Sequence, residues 1–422
     1  MTSFGKFTKA AALASVSVIA LSACSSSEEP AGSGDGGGDG HGEITFAMGS
    51  NDTDKLKPVI EDWNKEHPGE KVNLVELPAE QDDQRDTLTQ SLQAGGTDYD
   101  VFALDVTDTA QFAANGWLEP IEGEGAPDLS GLLDATVESA TYNDKVYAVP
   151  QNTNAQLLYY RTDLVDAAPK TWDELKNSCS KAKEANVDCL DMQLKQYEGL
   201  SVAATQFMQS WGGTVVGEDG STPTLDDPKS VEGFTALVDG YKDDTIAKRS
   251  DGFSEEETAQ AFLAGETMYS YNWPYMYDSA ETEDSSQVKG KFAVAPIVGK
   301  DGAGASTLGG YNDAINVNSK NKGTAKDFLS YVISEKVQAS FADQSFPPVL
   351  SSIYDDQALK DKYPYMEALK AALDSAVPRP VSPYYQNVSK AIQDNTWAAL
   401  KNNVPVDKAL SDMSAAIEQA SN

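Results

Sequence analysis

The alternation of strand and helix patterns along the chain predicts an α/β fold with a parallel sheet. Strand patterns at 44–48, 71–75 and 100–104 alternate with amphipathic helix patterns at 55–66 and 84–94. This β-α-β-α-β order indicates a parallel sheet with helices on both faces. About 380 residues follow the N-terminal segment, which is more than one hydrophobic core usually holds, so we expect two lobes.

The early elements each carry a local signal. The first helix has apolar residues on one face and is stopped by the His-Pro-Gly sequence at 67–69. The strand at 100–104 is fully buried by pattern, as in sheets covered on both faces. Ligands bind at the carboxyl ends of parallel strands. The candidate ligand loops are therefore those at 49–52, 78–83 and 105–108.

Further along the chain, the polar segment 151–154 separates two strand patterns, at 145–150 and 157–160. We interpret this segment as a crossing between lobes. Thr171 is the predicted N-cap of a helix that has acids in its first turn. The later patterns are a helix at 255–264, a strand at 267–271, a loop at 272–275 and mostly helices from 327 to 422.

The N-terminus predicts export. Two lysines precede an apolar run at 10–21 that is too short for an ordinary membrane span, so residues 1–23 are a predicted signal peptide. Its end, Leu21-Ser22-Ala23-Cys24, resembles the bacterial lipobox. That resemblance implies that Cys24 receives lipid chains and anchors the protein to the outer face of the cell membrane, outside the cytoplasm. The alternative is an ordinary secretory signal followed by a cysteine.

Residues 24–42 are the lipidated cysteine and a predicted disordered tether. From 25 onward this segment is mostly Ser, Gly, Asp and Glu and has almost no apolar content, so it cannot bury enough surface to fold. We expect the folded protein to begin near Glu43.

Charge and histidine content exclude several functions. The formal net charge is −34, and it becomes −36 without the two lysines of residues 1–23. Such a field opposes binding to nucleic acid, so we expect no nucleic-acid partner. His41 and His67 are the two histidines, which leaves little material for a Ser-His-Asp triad or a His-rich zinc site. We expect no cofactor and no metal.

Besides Cys24, the chain has two cysteines, Cys179 and Cys189. An even pair ten positions apart in an exported protein is most simply one local disulfide. The spacing excludes a Cys-x-x-Cys redox motif. Two free thiols remain the alternative.

Six segments resemble the extracellular solute-binding proteins of ABC importers. They lie in the family's order behind the lipobox, at 98–101, 116–118, 147–150, 158–164, 169–175 and 262–268. The resemblance is closest to the carbohydrate-binding branch, and within it to the trehalose- and maltose-binding lipoproteins of actinobacteria. It covers nearly everything from Glu43 onward.

The resemblance implies a two-lobed, periplasmic-binding-protein-like fold of type II, in which each lobe is a sheet flanked by helices and the ligand lies in the cleft between them. It implies an N-terminal lobe at 43–150 plus 311–345 and a C-terminal lobe at 151–310 plus 346–422. The lobes would close on an α-linked disaccharide of the trehalose or maltose type by hinge motion. The closed monomer would then deliver the sugar to the transmembrane subunits of an ABC permease.

A sugar-binding cleft needs polar groups that hold hydroxyls and flat rings that cover C–H faces. Candidates on the first lobe are Asp52, Asp82, Arg85 and Asp105. Relatives often carry Glu where this chain has Asp52. For each acid, a helix cap or a solvated loop charge is the alternative.

The remaining candidates come from the lobe crossings and the second lobe. Asn152 and Asn154 lie in the polar crossing, and glycine at 309 and 310 would let backbone approach the sugar. Family members often have Trp at the position of Tyr311, and a salt bridge is the alternative role for Arg379. The full second set is Asn152, Asn154, Trp273, Tyr275, Gly309, Gly310, Tyr311 and Arg379.

Three other functions stay open at this point. A secreted glycosidase needs two carboxylates across a cleft, and a chain with 66 acids can always supply such a pair. A surface protein for adhesion or signalling would keep the cores without the polar and aromatic cleft. A binding protein for another oligosaccharide would keep both.

Overall fold

The computed structural model describes residues 40–217 and 220–420. The strands are β1 (Ile44–Gly49), β2 (Val72–Leu77), β3 (Val101–Asp105), β4 (Thr141–Tyr142), β5 (Lys145–Val146), β6 (Ala148–Ala155), β7 (Leu157–Arg161), β8 (Asp188–Asp191), β9 (Thr267–Asn272), β10 (Phe292–Pro296) and β11 (Leu308–Ile315). The predicted signal peptide and Cys24 lie outside the described residues.

The helices up to the end of β11 are α1 (Thr53–Glu66), α2 (Gln81–Gln93), α3 (Thr109–Ala114), α4 (Asp134–Ser139), α5 (Trp172–Ala185), α6 (Glu198–Ser210), α7 (Pro228–Lys242), α8 (Glu255–Leu263) and α9 (Tyr275–Thr282). The C-terminal part is helical, as predicted, with α10 (Lys322–Val332), α11 (Glu335–Ala342), α12 (Gln357–Lys362), α13 (Tyr365–Asp374), α14 (Tyr385–Lys401) and α15 (Val406–Ala420). Short 3₁₀ turns occur at Lys248–Gly252 and Ser351–Asp355.

A five-stranded sheet has the order β2-β1-β3-β11-β6. β1 pairs in parallel with β2 and β3, which confirms the predicted β-α-β-α-β unit. β11 is antiparallel to both β3 and β6 because it returns from a later part of the chain. We call this sheet and its helices the first lobe.

A second sheet has the order β10-β7-β9-β8, with β8 and β9 parallel and the other pairs antiparallel. We call this sheet and its helices the second lobe. β4 and β5 form a separate two-stranded ribbon. Two sheets flanked by helices confirm the α/β class, whereas the predicted residue boundaries of the lobes stay a prediction.

Both sheets are covered on two faces, which explains the apolar strands. In β1, Phe46 packs into one cluster with Trp63 and Phe328, and the next residue, Ala47, packs into a different cluster on the other face. In β7, Leu158 belongs to one core of the second lobe and Tyr159 to the other. Alternate side chains of a strand point to opposite faces, so each strand contributes to two cores.

Several predicted boundaries are wrong. The segment 151–154, predicted as a polar connection, lies inside β6, which pairs with β11. Asp82 was predicted in a loop, but α2 begins at Gln81, so Asp82 is in its first turn. Tyr275 was predicted in a loop and is the first residue of α9. Polar residues such as these occur in turns as well as in strands and helices, so the local sequence does not distinguish the two. Contacts in the folded chain decide which one forms.

Two local predictions are confirmed. Thr171 caps α5, where its Oγ1 accepts a hydrogen bond from the backbone N–H of Glu174 at 3.2 Å. Cys179 on α5 and Cys189 on β8 form a disulfide. Among residues 40–217 and 220–420, no helix is both long enough and apolar enough to cross a membrane.

Candidate ligand-binding cleft

Three adjacent strands of the first lobe bring predicted site residues into one row. Tyr311 of β11 lies opposite Asp105 of β3 on one side and Asn152 of β6 on the other. The backbone N–H of Tyr311 donates to Oδ1 of Asn152 at 3.0 Å, next to an irregularity in the pairing of β11 with β6. Such irregularities redirect side chains and are frequent beside functional sites.

The two glycines before Tyr311 permit close packing in this row. A Cβ on Gly309 would lie 3.0 Å from ring carbons of Trp273, so the indole covers this backbone. Gly310 has φ +125°, and a Cβ there would lie 2.4 Å from the carbonyl oxygen of Asn152. Only glycine adopts that conformation without strain. The strand therefore accommodates the Trp273 ring of the second lobe and the crossing strand β6.

Arg379 links the two lobes through a buried ion-pair network. Its Nη2 donates to Oδ1 of Asp105 at 2.9 Å, and its Nη1 donates to Oε1 of Glu198 at 2.7 Å. The Arg379 side chain is 3% exposed, and those of Asp105 and Glu198 are 14% and 9% exposed. Burial alone would lower the pKa of Arg379, but the two carboxylates more than offset it and the pKa lies well above its ordinary range.

Glu198 is the hub of this network on the second lobe. It is the first residue of α6, and it also accepts from the hydroxyls of Tyr385, at 2.5 Å, and Ser389. Burial raises the pKa of Glu198. Asp105 is held in place by the backbone N–H and the hydroxyl of Thr107, at 3.0 Å and 2.8 Å. Both carboxylates are therefore fixed before any ligand binds.

A second link between the lobes runs through Gln386 of α14. Its side-chain amide donates to Oδ1 of Asp108 at 2.6 Å and accepts from Nη1 of Arg85 at 2.6 Å. Arg85 also donates to Asp82 at 2.7 Å. Burial, together with the charge of Asp105, raises the pKa of Asp108 to about 8.

The rim of the cleft is acidic. The pKa of Asp52 is raised to about 6, mainly by burial; Lys55 opposes this rise, and the charges of Asp54 and of Glu256 on the second lobe contribute to it. The amide of Asn51 donates to Asp52 at 2.7 Å and to the hydroxyl of Tyr311 at 3.4 Å. Lys195 of the second lobe pairs with Glu80 of the first at 3.4 Å.

Aromatic and acidic side chains form the second lobe's wall. Trp273 follows β9. Its backbone N–H donates to Oδ1 of Asn272 at 2.8 Å, and its backbone carbonyl accepts from the hydroxyl of Tyr159 at 2.9 Å. Glu255, the first residue of α8, accepts from the hydroxyl of Tyr197 at 2.7 Å. Burial raises the pKa values of Glu255 and Tyr275.

The structure brings most of the predicted site residues together. Asn154 lies opposite Gly309. Asp82 contacts Arg85 and lies on the outer part of the group. Their roles toward a ligand stay predictions. The residues that the sequence analysis missed are Asp108, Glu198, Glu255 and Gln386, which all lie at or near the starts of helices.

This arrangement suits a neutral ligand rich in hydroxyl groups. Carboxylates outnumber cations around the cleft, so an anionic solute would be repelled, whereas hydroxyls can donate to those carboxylates. Among the described residues, Nδ2 of Asn152 and Nε of Arg379 are buried donors without a hydrogen-bond partner. A ligand that accepts as well as donates would satisfy them.

Comparison with known proteins agrees with this geometry. Residues 49–339 match the family described as bacterial extracellular solute-binding protein. A probable ABC transporter-binding protein of Deinococcus radiodurans is 30% identical over 86% of this chain and 90% of its own length. A maltotriose-binding protein of Pyrococcus abyssi is 25% identical over 84% of this chain and 76% of its own.

A solved structure extends the likeness to three dimensions. The maltose-bound MalE3 of T. maritima superimposes with a TM-score of 0.82 at 31% identity, covering 89% of this chain and 99% of that one. These relatives are binding proteins rather than enzymes, which counts against the glycosidase alternative. The match spans both sheets and the cleft between them. The chain is therefore a member of the bacterial extracellular solute-binding protein family.

Proposed function

We propose that the protein captures an α-linked disaccharide of the trehalose or maltose type in the cleft and delivers it to an ABC permease. The T. maritima relative binds maltose and the Pyrococcus relative is a maltotriose-binding protein, which supports an α-linked glucoside. The lobes close over the sugar because the closed form offers contacts from both walls and therefore binds it more tightly than the open form does.

One observation carries this proposal: the aromatic side chain of Trp273 packs over the glycines of strand β11, and Tyr311 follows them in the same strand, among buried carboxylates and amides. Trp273 packs over Gly309, and Tyr311 lies between Asp105 and Asn152. Aromatic faces cover the apolar side of a sugar ring, and fixed polar groups select its hydroxyls. Cations such as Arg379 are already engaged by Asp105 and Glu198.

We also propose that Cys24 is lipidated and holds the protein on the outer face of the cell membrane. The lipobox-like sequence at 21–24 supports this step. Cells grown with radioactive palmitate should label the wild-type protein but not a Cys24→Ser variant, and the variant should leave the membrane fraction. Equal labelling of both proteins would contradict lipidation at Cys24.

The sugar proposal is tested by calorimetric titration of the purified protein with trehalose, maltose, maltotriose and glucose. We expect saturable binding of at least one α-linked sugar, with no product detected by chromatography after prolonged incubation. Product formation would favour the glycosidase alternative. Absence of binding to every sugar would favour a surface protein that retained only the fold.

Trp273 provides the sharpest test of the site. Trp273→Ala should weaken sugar binding by roughly 1 to 3 kcal/mol, or about 5- to 150-fold, because a stacked aromatic face is lost. Trp273→Phe keeps a ring and should retain most of the affinity. Trp117→Ala is a matched control, because Trp117 lies beyond the far end of β11, where its backbone carbonyl accepts from the N–H of Val317. Equal losses in the Trp273→Ala and Trp117→Ala variants would refute the assignment of Trp273.

A further inference from the structure

A second candidate site lies at the start of the folded chain, among residues that play no part in the sugar cleft. His41 precedes β1, Glu70 lies in the turn between α1 and β2, and Asp327 is on α10. Nδ1 of His41 is 3.4 Å from Oε2 of Glu70 and 3.7 Å from Oδ2 of Asp327. The three ligand atoms all lie within 4.8 Å of one another.

Backbone contacts hold His41 in this position. The carbonyl of Gly40 accepts from the N–H of Gly323 at 3.1 Å, and the N–H of Gly42 donates to the hydroxyl of Thr324 at 3.0 Å. The same hydroxyl donates to Glu70 at 3.3 Å. The segment at 40–42 thus contacts the body, although the sequence analysis expected folded protein only from Glu43.

Gly323 makes room for the imidazole. A Cβ at this position would lie 2.6 Å from Nε2 of His41 and within 3 Å of two ring carbons. The absence of that carbon lets the ring lie against the first turn of α10, with its Nδ1 near both carboxylates. Preorganised donors on separate elements lower the cost of binding a metal ion.

We propose that His41, Glu70 and Asp327 bind a divalent transition metal of the Zn²⁺ type. Zinc bonds to nitrogen and oxygen are about 2.0 to 2.2 Å long, which places the donors of a tetrahedral site roughly 3.4 Å apart. The two histidine-to-carboxylate separations, 3.4 Å and 3.7 Å, are close to that distance. One imidazole with two carboxylates favours zinc over Mg²⁺ or Ca²⁺, which prefer oxygen ligands alone.

Water would complete the coordination. The side chains of His41 and Asp327 are 54% and 51% exposed, so a fourth ligand can approach from solvent. The metal would tie residue 41 to α10 and so fasten the chain just before β1. This proposal departs from the expectation of no metal that the scarcity of histidine suggested.

Because the chain has two histidines, nuclear magnetic resonance of the imidazole nitrogens gives a direct test. Zinc titrated into metal-free protein should shift the His41 signals at one equivalent and leave the His67 signals unchanged. His67→Gln assigns the two sets. His67 stacks on Trp63 with ring centroids 3.7 Å apart, so it reports any general structural effect.

Calorimetry of variants tests the ligand set. His41→Gln, Glu70→Gln and Asp327→Asn should each weaken zinc binding by roughly tenfold or more, whereas the control Glu61→Gln on the exposed side of α1 should bind as the wild type does. Melting curves without zinc will show that each variant is folded. Unchanged zinc affinity in His41→Gln, or displacement of zinc by equimolar Mg²⁺, would overturn the proposal.

Discussion

The two walls of the cleft are built from different parts of the backbone. On the first lobe, Asp105 ends β3 and Tyr311 lies within β11, so strand pairing fixes where their side chains are. On the second lobe, Glu198, Glu255 and Tyr275 are the first residues of α6, α8 and α9. This difference shows that strand pairing fixes the position of a site residue more directly than the start of a helix does.

The two walls also differ in what stabilises their carboxylates. Helix N-termini carry partial positive charge, which favours carboxylates such as Glu198 and Glu255 in a buried setting. Asp108 on the first lobe faces Asp105 and Glu198, and its pKa is raised to about 8 by burial and these charges. The acids of the first wall therefore depend on the second wall for a neutralising charge and for hydrogen-bond donors.

The strongest way to break this dependence is to remove Arg379. Arg379→Met should lower the free energy of unfolding by about 3 to 5 kcal/mol, because Asp105 and Glu198 would be left as uncompensated buried charges. Urea unfolding measures the loss. We expect sugar affinity to fall as well, since the two walls lose their shared cation.

Two variants sharpen this result. Arg379→Met combined with Glu198→Gln should recover part of the stability, because one of the two buried charges is also removed. Arg161→Met is the matched control: its carboxylate partner, Asp163, is 37% exposed and lies on the same lobe, so its loss should cost roughly 1 kcal/mol or less. Similar losses in Arg379→Met and Arg161→Met would contradict a special role for the buried bridge.

A smaller and pH-dependent effect is expected at Asp108. Its pKa is raised from 3.8 to about 8, so the folded protein holds this proton more tightly than the unfolded chain does. The stability that this group contributes is complete below its unfolded pKa and is lost as the pH rises through about 8. Asp108→Asn should remove that decline, and melting temperatures from pH 5 to 9 measure it.

The pH dependence of sugar affinity should distinguish an acid of the cleft wall from an acid in the interior of the first lobe. Asp108 contacts Gln386 across the cleft, so wild-type affinity should weaken from pH 7 to 9 and that of Asp108→Asn should not. Asp313 of β11 is the control, because burial raises its pKa also to about 8 but its partner is Gln151 of the same lobe. Asp313→Asn should change the pH dependence of stability alone. If both variants flatten the affinity profile, the contrast between wall and interior is wrong.

Much of the fold could be predicted from hydrophobic pattern. The parallel β1, β2 and β3 with their intervening helices follow from local periodicity, and the capping by Thr171 follows from the chemistry of one side chain. The assignment of 151–154 to strand β6 could not be predicted, because Gln-Asn-Thr-Asn has no apolar alternation. Its pairing with the distant β11 supplies the missing information.

Residues of the candidate site could be predicted where strand positions fix them, and were missed where they lie at the start of a helix. Asp105 and Tyr311 follow from strand positions and family-like motifs. Glu198 does not, because an acid in the first turn of a helix is usually explained by the helix dipole alone. Its contacts with Arg379, Tyr385 and Ser389, residues far away in the sequence, distinguish it from an ordinary first-turn acid.

The sequence by itself determined the α/β class, the cysteine pair and the polar and aromatic residue types of the candidate cleft, and its export signal stays a prediction. These depend on composition and short-range periodicity, which are written locally in the chain. The tertiary structure alone decided which acids share Arg379, which amide spans the lobes and that His41 lies beside Glu70 and Asp327. Those pairings join residues from separate elements, and their energies depend on distance and burial that no local pattern encodes.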